Sequence, residues 1–235
     1  MKKIFTLIIT CFLTLSLTAC QNATTSKDDI LAFFDALDNT LQINQANIDA
    51  TFNMNEQIMY IQAQINQKKS LQVKAKVDLE ANGNTQKNFL VFYIKDGKTY
   101  LNSMGTKTQS TSDKIGLKEN SKLNLYNPFL DFSDDDLIEC FNSSSKKGNE
   151  YHFDVNTSKL ATLLDSFGTI SLDKASLDAT IKDNKIKKMT LSFTGTQTVD
   201  ESSANIDVSL SLTLKKFTSI QYPNDLDSYE KTAEN

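Results

Sequence analysis

Cys140 and His152 are the side chains in this sequence that are best suited to covalent chemistry, because a thiol and an imidazole in contact can act as nucleophile and base. Each also has a simpler interpretation. Cys140 shares a helical face with Leu137 and Phe141, which is typical of a small buried apolar residue. His152 falls on the polar side of an alternating segment. We therefore expect the protein not to be an enzyme.

A run of acidic residues offers a second kind of chemistry, because calcium binds six to eight oxygen ligands. The run comprises Asp131, Asp134, Asp135, Asp136 and Glu139. Its spacing does not match an EF-hand loop and lacks the central glycine. Ser133 directly before three acids is instead typical of a capped helix N-terminus on the surface. We expect no metal and no cofactor.

The amino-acid composition argues against further classes of function. The chain has 235 residues, and its 25 basic residues, all lysine, face 29 acidic ones, so the formal net charge is −4. Without arginine the protein lacks the planar group that reads phosphates and guanine edges, so we expect no nucleic-acid binding. A single histidine cannot supply the histidine pair of a zinc site. The seven glycines form no phosphate-binding loop.

The N-terminus is typical of a secretory signal. Two lysines precede an apolar stretch, Ile4 to Leu17, that is too short to span a bilayer and suits a signal peptide over residues 1–19. Leu17-Thr18-Ala19-Cys20 resembles the bacterial lipobox. The resemblance implies cleavage before Cys20 and a diacylglycerol on its thiol, which would attach the protein to the plasma membrane. The alternative is an ordinary cleaved signal peptide with an incidental cysteine.

Two acyl chains anchor a protein firmly, whereas one chain binds only marginally. Residues 20–27 would then be the lipidated cysteine and a polar tether that reaches at most ~25 Å at about 3.5 Å per residue. The arginine-free composition, rich in lysine, asparagine and isoleucine, suggests an AT-rich genome of a Gram-positive bacterium. The expected location is the outer face of the plasma membrane. Cys140 would remain alone in the mature chain, so no intramolecular disulfide is expected.

The rest of the chain predicts one domain over residues 28–222 and a polar tail over 223–235. Apolar spacing predicts a helix from about Asp28 to Asn47, and two short helices after Ser133 and Asn156. Period-two alternation predicts antiparallel strands over 52–106 and again over 177–214, while 103–127 is polar and irregular. Phe89 to Ile94 is apolar at nearly every position, which favours a strand covered on both faces. The fold class is α+β, a curled antiparallel sheet with helices on its concave face.

This layout resembles the LolA/LppX-like superfamily of lipoproteins and lipoprotein carriers. The residues that carry the resemblance are the helix Ile30 to Leu41, the meander Tyr93 to Tyr100, the helix Leu160 to Phe167 and the last strand ending near Tyr222-Pro223. The resemblance implies an unclosed half-barrel that can enclose acyl chains.

Two functions remain open at this point. The first is a membrane-anchored lipoprotein that binds a lipid or other apolar ligand in the half-barrel. Its cavity would be lined by inward-facing residues, namely Val73, Val77, Phe89, Leu191, Val208 and Leu212. The alternative is an envelope interaction or scaffolding lipoprotein with a filled core and an unknown protein partner. The size of any gap between the helices and the sheet distinguishes these two functions, because only an open gap can hold a ligand.

Overall fold

The computed structural model describes residues 26–117, 122–123, 127, 129–164, 169–199 and 202–232. The helices in these ranges are α1 (Lys27–Leu41), α2 (Asp134–Ile138) and α3 (Thr157–Leu164), with short 3-10 turns at Ser112–Ile115 and Leu226–Ser228. The strands are β1 (Gln45–Met54), β2 (Gln57–Asn66), β3 (Gln72–Ala81), β4 (Asn84–Lys95), β5 (Lys98–Ser103), β6 (Thr106–Thr111), β7 (Phe141–Lys147), β8 (Glu150–Val155), β9 (Thr169–Lys182), β10 (Lys185–Val199), β11 (Ser202–Lys215) and β12 (Glu230–Lys231).

All twelve strands form one sheet in the order β12-β6-β5-β4-β3-β2-β1-β11-β10-β9-β8-β7. Neighbouring strands are antiparallel except β12, which pairs parallel with β6. The sheet curls but does not close, and the helices pack on its concave side, here called the inner face. The predicted α+β half-barrel is therefore confirmed.

Tight turns set the register of the hairpins. Asn82-Gly83 joins β3 to β4, Asp96-Gly97 joins β4 to β5, and Asp183-Asn184 joins β9 to β10. Both residues of each turn have a positive φ. Such turns match the right-handed twist of the flanking strands, and Gly and Asn adopt this backbone conformation at the lowest cost.

Period-two alternation places apolar side chains on the inner face of most strands. On β10, Met189, Leu191 and Phe193 pair with Leu212, Leu210 and Val208 of β11. The apolar row continues through β1, β2, β3 and β4, with the aligned residues Ala50, Phe52, Ile61, Val77 and Leu90. One face of the sheet is thus apolar over most of its width, and helices must cover part of it.

Helix α1 covers the β7–β10 side of the inner face. The Ser26 hydroxyl caps its N-terminus by accepting the Asp29 N–H at 3.3 Å, and Ile30, Phe33 and Phe34 are buried in the main core. The sequence predicted this helix as far as Asn47, but it ends at Leu41. Residues from Gln45 onward form β1 instead, because pairing with both β2 and β11 outweighs the local helical preference.

β6 and β7 lie where the sequence did not predict strands. β6 falls within the segment expected to be irregular, and β7 begins at Phe141, which was placed on the face of the helix after Ser133. That helix, α2, ends at Ile138. Neither strand shows clear apolar alternation, since β6 reads TKTQST and β7 reads FNSSSKK. Both are specified by pairing with a neighbouring strand.

Residues 223–232, which the sequence assigned to a polar tail, pack against the sheet. Leu226 and Tyr229 are buried against Val91, Tyr93 and Tyr100, which lie on the outer face of β4 and β5. The Tyr222 hydroxyl donates to the Ile94 carbonyl at 2.8 Å, and burial raises the pKa of this hydroxyl to about 12. This packing explains why β4 is apolar on both faces, as the sequence predicted. The residues of the three described core clusters fall between Ile30 and Tyr229, so residues 21–235 contain all of them.

Gly195 sits where β9 and β10 slip register, between Thr194 and Gly195. A Cβ at this position would lie 2.1 Å from the Ser171 carbonyl oxygen and 2.9 Å from the Leu172 Cα. Both are backbone atoms of β9, so they cannot rotate away as the end of a side chain could.

We expect Gly195→Ala to lower the free energy of unfolding by about 1–3 kcal/mol, the range for steric overpacking. Urea unfolding of residues 21–235, followed by circular dichroism, measures this change. The control is Thr196→Ala at the exposed next position of β10, which should stay within about 0.5 kcal/mol of wild type. Equal midpoints for the two variants would show that β9 can move aside.

We expect Leu226→Ala to cost about 2–3 kcal/mol, because it opens a cavity beside Tyr93 and Tyr100. Exposed Asp227 is the control, and Asp227→Ala should change stability by less than about 0.5 kcal/mol. The same urea titration compares them. If residues 223–235 were a frayed tail, both variants would unfold like wild type.

Candidate functional site

An apolar pocket of about 280 Å³ lies between α1 and the inner face of β7–β10. It is lined by twelve apolar residues and one lysine: Phe33, Phe34, Leu37 and Leu41 of α1; Phe129 and Cys140 beside α2; Phe141 and Val155; Lys159 and Leu160 of α3; and Leu177, Met189 and Leu191 of β9 and β10. Its volume is close to the lower end of the about 300–1,000 Å³ found for small-molecule sites.

A cluster of phenylalanine side chains forms one wall of the pocket. The Phe33 ring lies 5.2 Å from the Phe153 ring and 5.9 Å from the Phe141 ring, between centroids. Phe141 in turn stacks on Phe153 at 4.6 Å. Phe153 is fully buried beneath these contacts. The wall is therefore a packed surface, in contrast to the half-buried Leu160, Met189 and Leu191 on the other side.

Phe129 closes the pocket from the segment that leads into α2. Its ring packs edge-on against Phe34, with 5.0 Å between centroids. The Asn127 side chain accepts the Phe129 N–H at 3.0 Å and reaches Asp38 of α1 at 3.4 Å. These contacts fasten the segment to α1.

Cys140 lines the pocket as an apolar group. It is buried, and its thiol donates weakly to the Asp136 carbonyl at 3.4 Å. Burial raises the pKa of the Cys140 thiol, which disfavours the reactive thiolate. His152 lies on the outer face, where its Nδ1 is 2.7 Å from the Asp178 carboxylate. The structure therefore does not bring the thiol and the imidazole together.

The acidic run is a capped helix start. The Ser133 hydroxyl and the Asp136 carboxylate form a reciprocal capping box around the first turn of α2. The hydrogen bond from the Ser133 hydroxyl holds the pKa of Asp136 below its usual value. Among the described residues, no group of three or more His, Cys, Asp or Glu side chains is placed to hold a metal ion.

Lys159 stands at the rim of the pocket. Its side chain is 45% exposed, and its ammonium forms an ion pair with Glu139 at 2.8 Å. Asn156 fixes the backbones of both residues: its amide donates to the Glu139 carbonyl at 3.0 Å, and its side-chain oxygen accepts the Lys159 N–H at 3.3 Å. The hydrogen bond to Glu139 raises the pKa of the Lys159 ammonium, so this group is charged at neutral pH.

Of the six residues predicted to line a cavity, Leu191 lines this pocket. Val208 and Leu212 lie on the same face of the adjacent strand β11. Val73 and Val77 lie on β3, four strands from β10, where Val73 packs with Leu71 and Ile94. Phe89 precedes Leu90, which aligns with Val77 on the inner face, so alternation places Phe89 on the outer side of β4. Cys20 lies outside the described residues, so its lipidation stays a prediction.

Sequence reasoning missed most of the pocket. The α1 residues were assigned to the core, because an apolar helical stripe gives no sign of whether it fills a gap or borders one. Lys159 was not predicted to line the pocket. The signal for it was its position directly before Leu160, in the first turn of a helix expected to be apolar on one side. No helix in the described part of the chain has the length and apolar character needed to cross a bilayer.

Comparisons with known proteins are sparse. No protein-family model matches the chain, and no curated protein matches it in sequence. Among solved structures, the crystal structure of LprF from Mycobacterium bovis is similar over 86% of this chain and 98% of that chain, with a TM-score of 0.46 and 11% sequence identity. At this identity and TM-score, the likeness carries no statement about ligand or activity.

Proposed function

We propose that the protein is an extracytoplasmic, non-enzymatic lipoprotein, anchored to the outer face of the plasma membrane through diacylglycerol on Cys20, that binds a single apolar chain. The observation that carries the binding role is the 280 Å³ pocket beneath α1. A filled core would have favoured the scaffolding alternative instead.

The shape of the site supports one chain rather than a bulky lipid. Phe33, Phe34 and Phe141 form a packed wall, while half-buried aliphatic side chains form the other side. Each methylene moved from water into such a site gains about 0.8 kcal/mol. A chain of moderate length therefore provides enough driving force for binding without a polar anchor.

The anchor supports the same role. Ser26 is fixed to the edge strand β7, where its N–H donates to the Ser144 hydroxyl at 2.9 Å. Five residues separate Cys20 from Ser26, so a lipid on Cys20 would keep the domain within about 20 Å of the membrane surface at about 3.5 Å per residue. The pocket would then be close to a source of acyl chains.

We expect residues 21–235 to bind N-phenyl-1-naphthylamine, a neutral apolar fluorophore, with enhanced fluorescence that decanol reverses. Leu191→Trp fills the pocket and should weaken binding at least about tenfold, the effect of losing 1.4 kcal/mol. The control is Leu210→Trp, on the same inner face directly opposite Leu191 but outside the pocket lining. It should bind within about threefold of wild type.

Circular dichroism should first show that both variants are folded. Equal loss of binding in the two variants would place the fluorophore elsewhere on the inner face. Absence of binding in the wild type, with a protein mass free of co-purified lipid in native mass spectrometry, would favour the scaffolding role.

A further inference from the structure

We infer that the pocket selects single-chain amphiphiles with an anionic head group, and that Lys159 binds this head group in exchange for Glu139. The inference rests on the proposed function and names its ligand class. Among the described residues that line the pocket, Lys159 is the charged one, and the other twelve are apolar. A ligand whose chain fills the pocket therefore meets a cation at the rim.

The ion pair that now occupies Lys159 is easily exchanged. The Lys159 and Glu139 side chains are 45% and 61% exposed, and pairs this open to water contribute little to stability. The Lys159 stem lines the pocket while its ammonium reaches Glu139. Because lysine has a flexible four-carbon stem, the ammonium can turn to a bound head group while the stem stays against the apolar lining.

The position of Lys159 in the fold also favours an anion beside it. Lys159 is the third residue of α3, where the helix dipole favours negative charge and disfavours positive charge. Glu139 compensates for this unfavourable placement in the unliganded protein. A carboxylate bound here would interact favourably with both the ammonium and the N-terminal end of α3.

The nearby acids do not occupy the same place. The Asp136 carboxylate accepts hydrogen bonds from the Ser133 hydroxyl at 2.6 Å and the Ser133 N–H at 3.2 Å. It therefore serves the start of α2. Glu139 is the carboxylate in direct contact with the ammonium, so it is the group that a ligand must replace.

The experiment compares three ligands with the same chain and different head groups: decanoate, decanol and decylammonium. Each displaces N-phenyl-1-naphthylamine from residues 21–235 at neutral pH and low salt. We expect decanoate to bind roughly three- to tenfold more tightly than decanol, from the combined effect of the ammonium and the helix dipole. Decylammonium should bind most weakly, and added salt should reduce the difference.

Two variants test the role of Lys159. Lys159→Met keeps an unbranched stem but removes the charge, so the ratio of the decanoate affinity to the decanol affinity should fall to about one. Glu139→Gln releases the ammonium and should raise the affinity for decanoate. Lys98→Met changes the net charge equally but lies on β5, away from the pocket, and should leave all three affinities unchanged.

Equal binding of decanol and decanoate to the wild type, or an unchanged preference in Lys159→Met, would overturn this inference and leave the proposed function intact. Tightest binding by decylammonium would also overturn it, because a carboxylate such as Glu139, and not Lys159, would then bind the head group. Failure of all three ligands to displace the fluorophore would count against both the inference and the proposed function.

Discussion

The docking of α1 against β7–β10 is the contact on which the rest of the structure depends. An unclosed sheet cannot bury a continuous apolar face against itself, so a separate element must cover it. Phe33 provides the centre of this contact, since its ring touches Phe34, Phe141 and Phe153. The Thr40 hydroxyl adds a specific bond near the other end of the helix, accepting the Ile186 N–H at 2.8 Å. These contacts fix both the position and the direction of α1.

The pocket follows from the same contact. A straight helix cannot contact a curved sheet equally along its whole length, so side chains must fill the space between the two. Behind Phe33, the Phe141 and Phe153 rings fill this space, and Phe153 is fully buried. Towards Leu37 and Leu41 they leave a gap between helix and strands, which α3 and Phe129 border. The pocket is thus a property of how two regular elements of different shape meet.

The fold was predictable in its regular parts and the site was not. Alternation along β3 and β11, and turn signals such as Asp96-Gly97, are local, so sequence revealed them. β12 depends on a partner far away in the chain, and so does the burial of Leu226, which a polar C-terminal segment concealed. β7 pairs with the next strand, β8, but its sequence shows no apolar alternation that could have revealed it. The pocket depends on the three-dimensional fit of α1. For that reason the sequence could place Val73 and Val77 on the apolar face of the sheet but could not show that they lie four strands from β10, which borders the pocket.

The two-residue strand β12 has a consequence for the behaviour of the protein at high concentration. Its parallel pairing with Thr108 and Gln109 occupies the middle of an otherwise open sheet edge, and the Thr232 N–H also donates to the Gln109 carbonyl. The opposite edge, β7, carries Lys146 and Lys147, and Ser26 lies against its centre. Edges that are covered or charged in this way resist strand addition by another molecule. The protein can therefore keep a wide open sheet without presenting two bare strand edges to its copies when crowded together.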